Sequence, residues 1–326
     1  MKKFVSILLV LVLMMSLSVA AFASEVETDQ GTTTPTYTDQ STATVVKVYK
    51  LIGAGSSPAE TFTLEQVGNG SVTDGDATSA PALGTITGAT FAEGAATANG
   101  ATAGITIELP TYTTVGVYEY TLKEVAGTTA GVTYYGNTIK LVVTVINDGA
   151  IRVAAVHTES QGTKSDRFEN TYSAGTLSIT KTVTGNLGDK DKYFDFTVKL
   201  TGVDGKTYGD SYAVSGGSNA ANPSTIKIGE ETTFLLKHGD TISIENLPYG
   251  VTYTVTETAA DGYTTTKTGD TGTIGAATQT AAFTNDKNKS DIDMGVSMDS
   301  LPYILMLVVV GAAVVVIATR KKGEQF

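Results

Sequence analysis

Three residue types able to react with one another occur twice in this chain, in the same order. In the first copy they are Lys47 in TVVKVYK, Glu124 in YEYTLKE and Asn170 in DRFENTY; in the second they are Lys181 in LSITKTV, Glu257 in YTVTE and Asn285 in AAFTN. Lys47 and Glu124 are 77 positions apart, Lys181 and Glu257 76. An amine, an acid and a side-chain amide at equivalent places in two units point to chemistry among them, not to packing alone.

That chemistry depends on where the side chains face. Strand alternation puts Leu177, Ile179, Lys181 and Val183 on one face, so the lysine points with apolar residues. Tyr253, Val255 and Glu257 share a face in the same way, as do Phe283 and Asn285. The three polar groups are therefore expected to meet inside a sandwich. Burial among apolar side chains disfavours charge, leaving a neutral amine facing a neutral acid. A neutral amine is a nucleophile. It can attack the Asn carbonyl carbon while the Glu polarises that carbonyl and carries protons to departing ammonia, which leaves an intramolecular Lys-Asn isopeptide bond. Glu124 and Glu257 are the promoting acids in this scheme. Taken singly, each lysine and glutamate reads more plainly as a solvated strand residue and each Phe-x-Asn as a turn, since Lys and Glu are seldom buried. The repeat and the shared facing weigh against that reading. Lys50 rivals Lys47, because the pattern from Val45 to Ile52 is apolar on both faces.

The elements that must position these groups are strands. From Thr44 the apolar pattern has period two, in TVVKVYKLI, GITIELP, GVYEYTLKEV and NTIKLVVTVI, and again in YFDFTVKLTG, DTISIENLP and VTYTVTET. The segments are rich in Val, Ile, Thr and Tyr and are separated by Gly, Asn, Asp and Ser, with no convincing amphipathic helix among them. The expected class is all-β, with a sandwich over residues 44–172 and a second over 176–286. Tyr172 to Gly175 reads as a short polar joint, residues 24–43 as a flexible leader, and Gly68 to Gly100 as one long irregular or hairpin excursion.

The ends read as address and anchor. Lys2 and Lys3, an apolar run and Ala21-Phe22-Ala23 form a secretory signal peptide over residues 1–23. Residues 301–319 are long and apolar enough to span a bilayer as a helix, and the basic tail 320–326 with Arg320, Lys321 and Lys322 places the body outside the cell. Residues 287–300 form a polar stalk. The chain has 22 Lys and Arg against 33 Asp and Glu, a net charge of −11 at pH 7. Five of the basic residues and one acidic residue lie in the two ends, so the body is more acidic still, which argues against nucleic acid and anionic membrane surfaces as its partners. With no Cys in an exported chain, disulfides are excluded as staples. No cofactor or metal is called for. His157 and His238 fall in different units, Gly53-Ala54-Gly55 lacks a nucleotide-binding context, and Gly-x-Ser-x-Gly is absent.

From Thr44 to Asp286 the chain resembles the Gram-positive shaft pilins built from streptococcal-type isopeptide-linkage domains, and its second unit is similar to the collagen-adhesin B-type repeat. The resemblance is carried by VYK, PAETFTL, GVYEYTLKE, KSDRFENTY, LSITKTVTGN, NLPYGVTYTVTE and AAFTN. It implies two inverse immunoglobulin-like sandwiches, with bonds Lys47 to Asn170 and Lys181 to Asn285. It also implies a sortase and other pilin subunits as partners, with Lys164 in QGTKSDRFEN as the acceptor lysine. The sorting tail departs from the family pattern, since Asp291-Ile292-Asp293-Met294-Gly295 has neither its proline nor its threonine; the resemblance of the flanking residues still implies cleavage between Met294 and Gly295. The expected function is a structural cell-surface pilin or stalk subunit, wall-anchored or membrane-anchored, with catalysis limited to its own single-turnover cross-links. The alternatives are an adhesin presenting a site for a host or surface ligand, and a membrane-tethered surface enzyme.

Overall fold

The computed structural model describes residues 39–288, 305–307 and 309–310. The expected signal peptide, the expected leader up to residue 38, Met294, Gly295, the basic tail and most of the apolar span lie outside these residues. Between residues 39 and 288 all regular structure is strand and there is no helix. Residues 305–307 and 309–310 are helical with exposed apolar side chains. Among the described residues no helix is long and apolar enough to cross a membrane. The chain divides into two compact units, with the boundary between Ser173 and Ala174; the short run Gly53–Gly55 groups with the second.

In the first unit the opening strand Thr42–Gly53 pairs antiparallel with Ala101–Glu108. On its other side lies the closing strand, which begins at Arg167; Val46 N–H donates to Asp166 O at 2.7 Å. A second sheet is built from Ile151–Ser160, Ile139–Asn147, Gly116–Glu124 and Leu64–Gln66, hydrogen-bonded in that order. Gly116–Glu124 has the clean alternation of a half-buried strand: Tyr118, Tyr120 and Leu122 are buried, and Glu124 is the next residue in that row. Its carboxylate therefore enters the core because of its place in the period. The core is aromatic-rich, with Tyr49, Phe62 and Phe91 meeting at ring-centroid distances of 5.0 to 5.7 Å. Each such side chain contributes about 1.5–3 kcal/mol by burial.

Residues 68–100 depart from the expected single excursion. Ser71–Gly75 pairs with Gly116–Glu124, Ala89–Phe91 pairs with Glu60–Phe62, and Ala89, Phe91 and Ala96 are core residues. The segment is weakly patterned because short strands separated by turns give no sustained period, yet Phe91 supplies enough apolar surface to fix it in place.

In the second unit the residues of the strand Arg167–Thr184 from Ala174 onward pair antiparallel with Thr241–Pro248 and parallel with Thr278–Asp286. The facing sheet has Phe194–Thr201 between Glu231–Leu236 and Thr252–Glu257. Leu177, Ile179, Val183, Phe194, Phe196, Val198, Val255 and Phe283 form the heart of the core. The joint expected at Tyr172 to Gly175 is not a polar loop. These residues lie within one continuous strand of 18 residues, and Tyr172 and Ala174 are buried. Tyr172 keeps its ladder with Val132, and Ala174 and Gly175 pair with Pro248 and Leu247, so backbone pairing continues where the side chains suggested a break.

Candidate functional site

Each unit buries one lysine, one glutamate and one asparagine together. Lys47, Glu124 and Asn170 are 1 %, 2 % and 1 % exposed. The Lys47 ammonium donates to Glu124 Oε2, and Asn170 Nδ2 donates to Glu124 Oε1. One carboxylate thus bridges amine and amide, an oxygen for each. Asn170 Oδ1 accepts a hydrogen bond from the backbone N–H of Tyr135 at 2.8 Å. Lys47 Nζ lies 5.5 Å from the Phe62 ring centroid and 5.6 Å from that of Tyr135, so aromatic faces border the amine.

The second site follows the same plan with two differences. Lys181 Nζ reaches both oxygens of Glu257, at 2.7 and 2.8 Å, and Asn285 Nδ2 donates to Oε1. The Lys181 and Glu257 side chains are 0 % and 2 % exposed. Asn285 Oδ1, in contrast to Asn170 Oδ1, is buried without a hydrogen-bond partner. Phe194 and Phe196 border the amine at 4.3 and 5.7 Å.

Burial dominates the electrostatics of both amines. It pushes Lys47 and Lys181 below the ordinary lysine value of 10.5, against the hydrogen bond and charge of the glutamate, which pull each back up. The shift favours the neutral amine needed for attack.

Lys47 and its rival Lys50 lie in different surroundings, Lys47 buried and Lys50 not. Lys50 has a side chain 40 % exposed and reaches toward Glu169 at 3.8 Å. Lys164 is exposed in the short strand Thr163–Lys164. His157 pairs with Glu159 at 3.0 Å, and His238 Nδ1 accepts from Val183 N–H at 3.0 Å. Among the described residues no cluster of His, Asp or Glu could hold a metal ion. Sequence reasoning missed Tyr135, Phe62, Phe194 and Phe196 as neighbours of the buried amines.

Residues 43–173 match the family model described as a Spy0128-like isopeptide containing domain. That match ends at the boundary of the first compact unit. Residues 175–287 match a second model, described only as a domain of unknown function, DUF7601. Two curated Streptococcus pyogenes proteins are similar to the chain. One is a pilin of serotype M1, 31 % identical over 168 residues that cover 45 % of this chain and 49 % of the pilin. The other is the pilus tip adhesin Cpa, 36 % identical over 119 residues that cover 34 % of this chain and 17 % of the adhesin. The chain thus matches about half or less of the length of each. Among solved structures, the major pilin from Streptococcus pyogenes aligns with a TM-score of 0.49 and 24 % identity, covering 77 % of this chain and all of that one.

Proposed function

We propose that this protein is a structural subunit of a Gram-positive surface pilus whose two domains each close an intramolecular isopeptide bond, Lys47 to Asn170 and Lys181 to Asn285. The observation that carries the reading is the repeated buried triad, in which a single carboxylate touches both the amine and the amide. A lysine buried merely to pair with an acid needs no asparagine on that acid's other oxygen, and a buried pair is poor value for stability alone.

In the first site the amine attacks Asn170 Cγ. Glu124 gives a proton to Nδ2 as the Cγ–Nδ2 bond breaks and takes one from the attacking nitrogen, so ammonia leaves and the acid is restored. Glu257 serves Lys181 and Asn285 likewise. The aromatic borders keep water from competing and keep the amine desolvated. Each reaction happens once per molecule, so the protein is not an enzyme toward other substrates.

The finer features belong to the same proposal. Each unit is an inverse immunoglobulin-like sandwich. Residues 1–23 direct export, and residues 301–319 hold the chain in the membrane until a sortase cuts between Met294 and Gly295 and joins subunits through the exposed Lys164. The identity with a tip adhesin favours an adhesin less than a shaft subunit, because the match spans 17 % of that adhesin and so speaks to a shared domain. The test is electrophoresis of wall extracts after boiling in detergent. Ladders that collapse in a Lys164→Arg strain support a polymerised shaft; a single monomer band together with saturable ligand binding by that monomer would make the protein an adhesin.

A further inference from the structure

We propose that the backbone N–H of Tyr135 is a catalytic oxyanion donor for the reaction at Asn170, and that the site at Asn285 works without one. The inference rests on the isopeptide reading and assigns a group that reading leaves out.

Attack on Asn170 Cγ moves negative charge onto Oδ1. Tyr135 N–H already points there at 2.8 Å, within the range for such a donor. It also divides the labour. With Oδ1 held by Tyr135, Nδ2 is the amide atom that faces Glu124, so the leaving group sits on the acid that must protonate it. The atoms balance as before: Lys47 Nζ joins Cγ, Nδ2 leaves as ammonia, and the charge on Oδ1 returns to form the new carbonyl.

Local backbone geometry explains why this N–H is available. Val132–Thr133 pairs with Thr171 and Tyr172 of the closing strand, and the chain leaves the ladder after Thr133. Tyr135, two residues on, is in a loop and gives its N–H to the Asn170 side chain. The loop is pinned by Tyr135 Oη against Ser160 Oγ at 2.7 Å and by the Tyr135 ring edge-on to Phe168 at 5.1 Å. In the second unit Asn285 has strand on both sides. Val183 is its parallel partner and Thr265 its antiparallel partner, and the ladder continues through Asp286. No loop amide turns toward Oδ1, which is buried unpartnered.

The experiment follows both cross-links in full-length chain made by cell-free translation, sampling over time for the loss of ammonia in each linked peptide pair. Tyrosine at 135 is replaced by its α-hydroxy acid analogue, which turns the N–H into an ester oxygen and keeps the side chain. The expected result is that Lys47–Asn170 closure slows about 100- to 1,000-fold, the usual effect of removing one oxyanion donor, while Lys181–Asn285 closure in the same molecules is unchanged. Equal rates for the ester and unmodified chains overturn the proposal while leaving the isopeptide reading intact. Absence of both linked pairs from the unmodified chain overturns that reading and the proposal with it. A second measurement does not depend on the ester variant folding. The Tyr135 amide should be protected from hydrogen exchange in the unmodified chain and lose protection in Asn170→Ala; exchange in the unmodified chain at the rate of a free loop amide overturns the proposal.

Discussion

Lys47 and Glu124 stand 77 positions apart in the chain and share a hydrogen bond in the core of the first unit, with the lysine 1 % exposed. A lone ion pair so deeply buried costs more in desolvation than it commonly returns, so its presence asks for a use. Condensation with Asn170 supplies one, because the product amide carries no charge. Intact mass is the direct check. The folded, secreted protein should weigh two ammonia molecules less than its processed sequence; a mass equal to that sequence in fully folded protein rejects both bonds.

The acid must act as well as pair. Glu257→Gln preserves shape and a donor to its neighbours but cannot shuttle a proton, so the second domain should fold with Lys181 and Asn285 unlinked. Glu124→Gln should do the same in the first domain and leave the second bond intact. Lys50→Ala, by contrast, should leave the first cross-link complete, because its side chain is half-exposed and directed to Glu169. Peptide mapping after digestion decides all three, and a linked Lys181–Asn285 pair in Glu257→Gln would remove Glu257 from the mechanism.

The all-β class was legible in the sequence because most strands are half-buried and their alternation survives intact. LSITKTV shows this well, since Leu177, Ile179, Lys181 and Val183 are all buried. Around Val45 to Tyr49 the same reasoning could not choose between Lys47 and Lys50. Val48 and Tyr49 are both buried there, so burial on both faces erases the period on which the argument depends. Tyr135 was illegible for a different reason: its contribution is a backbone N–H, which every residue but proline carries, and only the departure of the chain from a ladder makes it free. Phe62, Phe194 and Phe196 read as ordinary core residues, and their place beside an amine depends on which strands face one another. The strand through Tyr172 to Gly175 was hidden because Ser, Ala and Gly look like a joint when their backbone partners are unknown.

The lowered lysine gives a pH signature in a variant unable to cross-link. In Asn285→Ala the Lys181–Glu257 pair remains but has no electrophile. Because Lys181 is lowered in the folded state, the unfolded chain binds more protons between that lowered value and 10.5, and stability rises with pH across this window. Other groups also titrate there, so the measured quantity is a difference. Urea unfolding of Asn285→Ala, compared with Lys181→Met/Asn285→Ala, should show an alkaline gain in the first that is missing from the second. Parallel pH profiles would mean that Lys181 is not desolvated as described.

The cross-link itself should dominate the stability of the second domain. Lys181 and Asn285 close a loop of roughly 100 residues, which the chain-entropy model values at about 4.7 kcal/mol, large beside the 5–15 kcal/mol typical of a whole domain. Asn285→Ala isolates this contribution better than Lys181→Ala. It removes the electrophile, keeps the Lys181–Glu257 contact and deletes an amide whose Oδ1 already lacks a partner. At about 4–8 °C per kcal/mol for a domain near this size, the second transition in calorimetry should fall by on the order of 20 °C or more. The first domain's transition should stay close to its original temperature. Protease resistance should fall with the second transition, since a linked chain whose first and last strands are joined cannot open far enough to enter a protease site. A shift of only a few degrees in Asn285→Ala, with the wild-type bond present by mass, would show that the bond serves something other than thermal stability, for which resistance to pulling along the strands is the property to measure next.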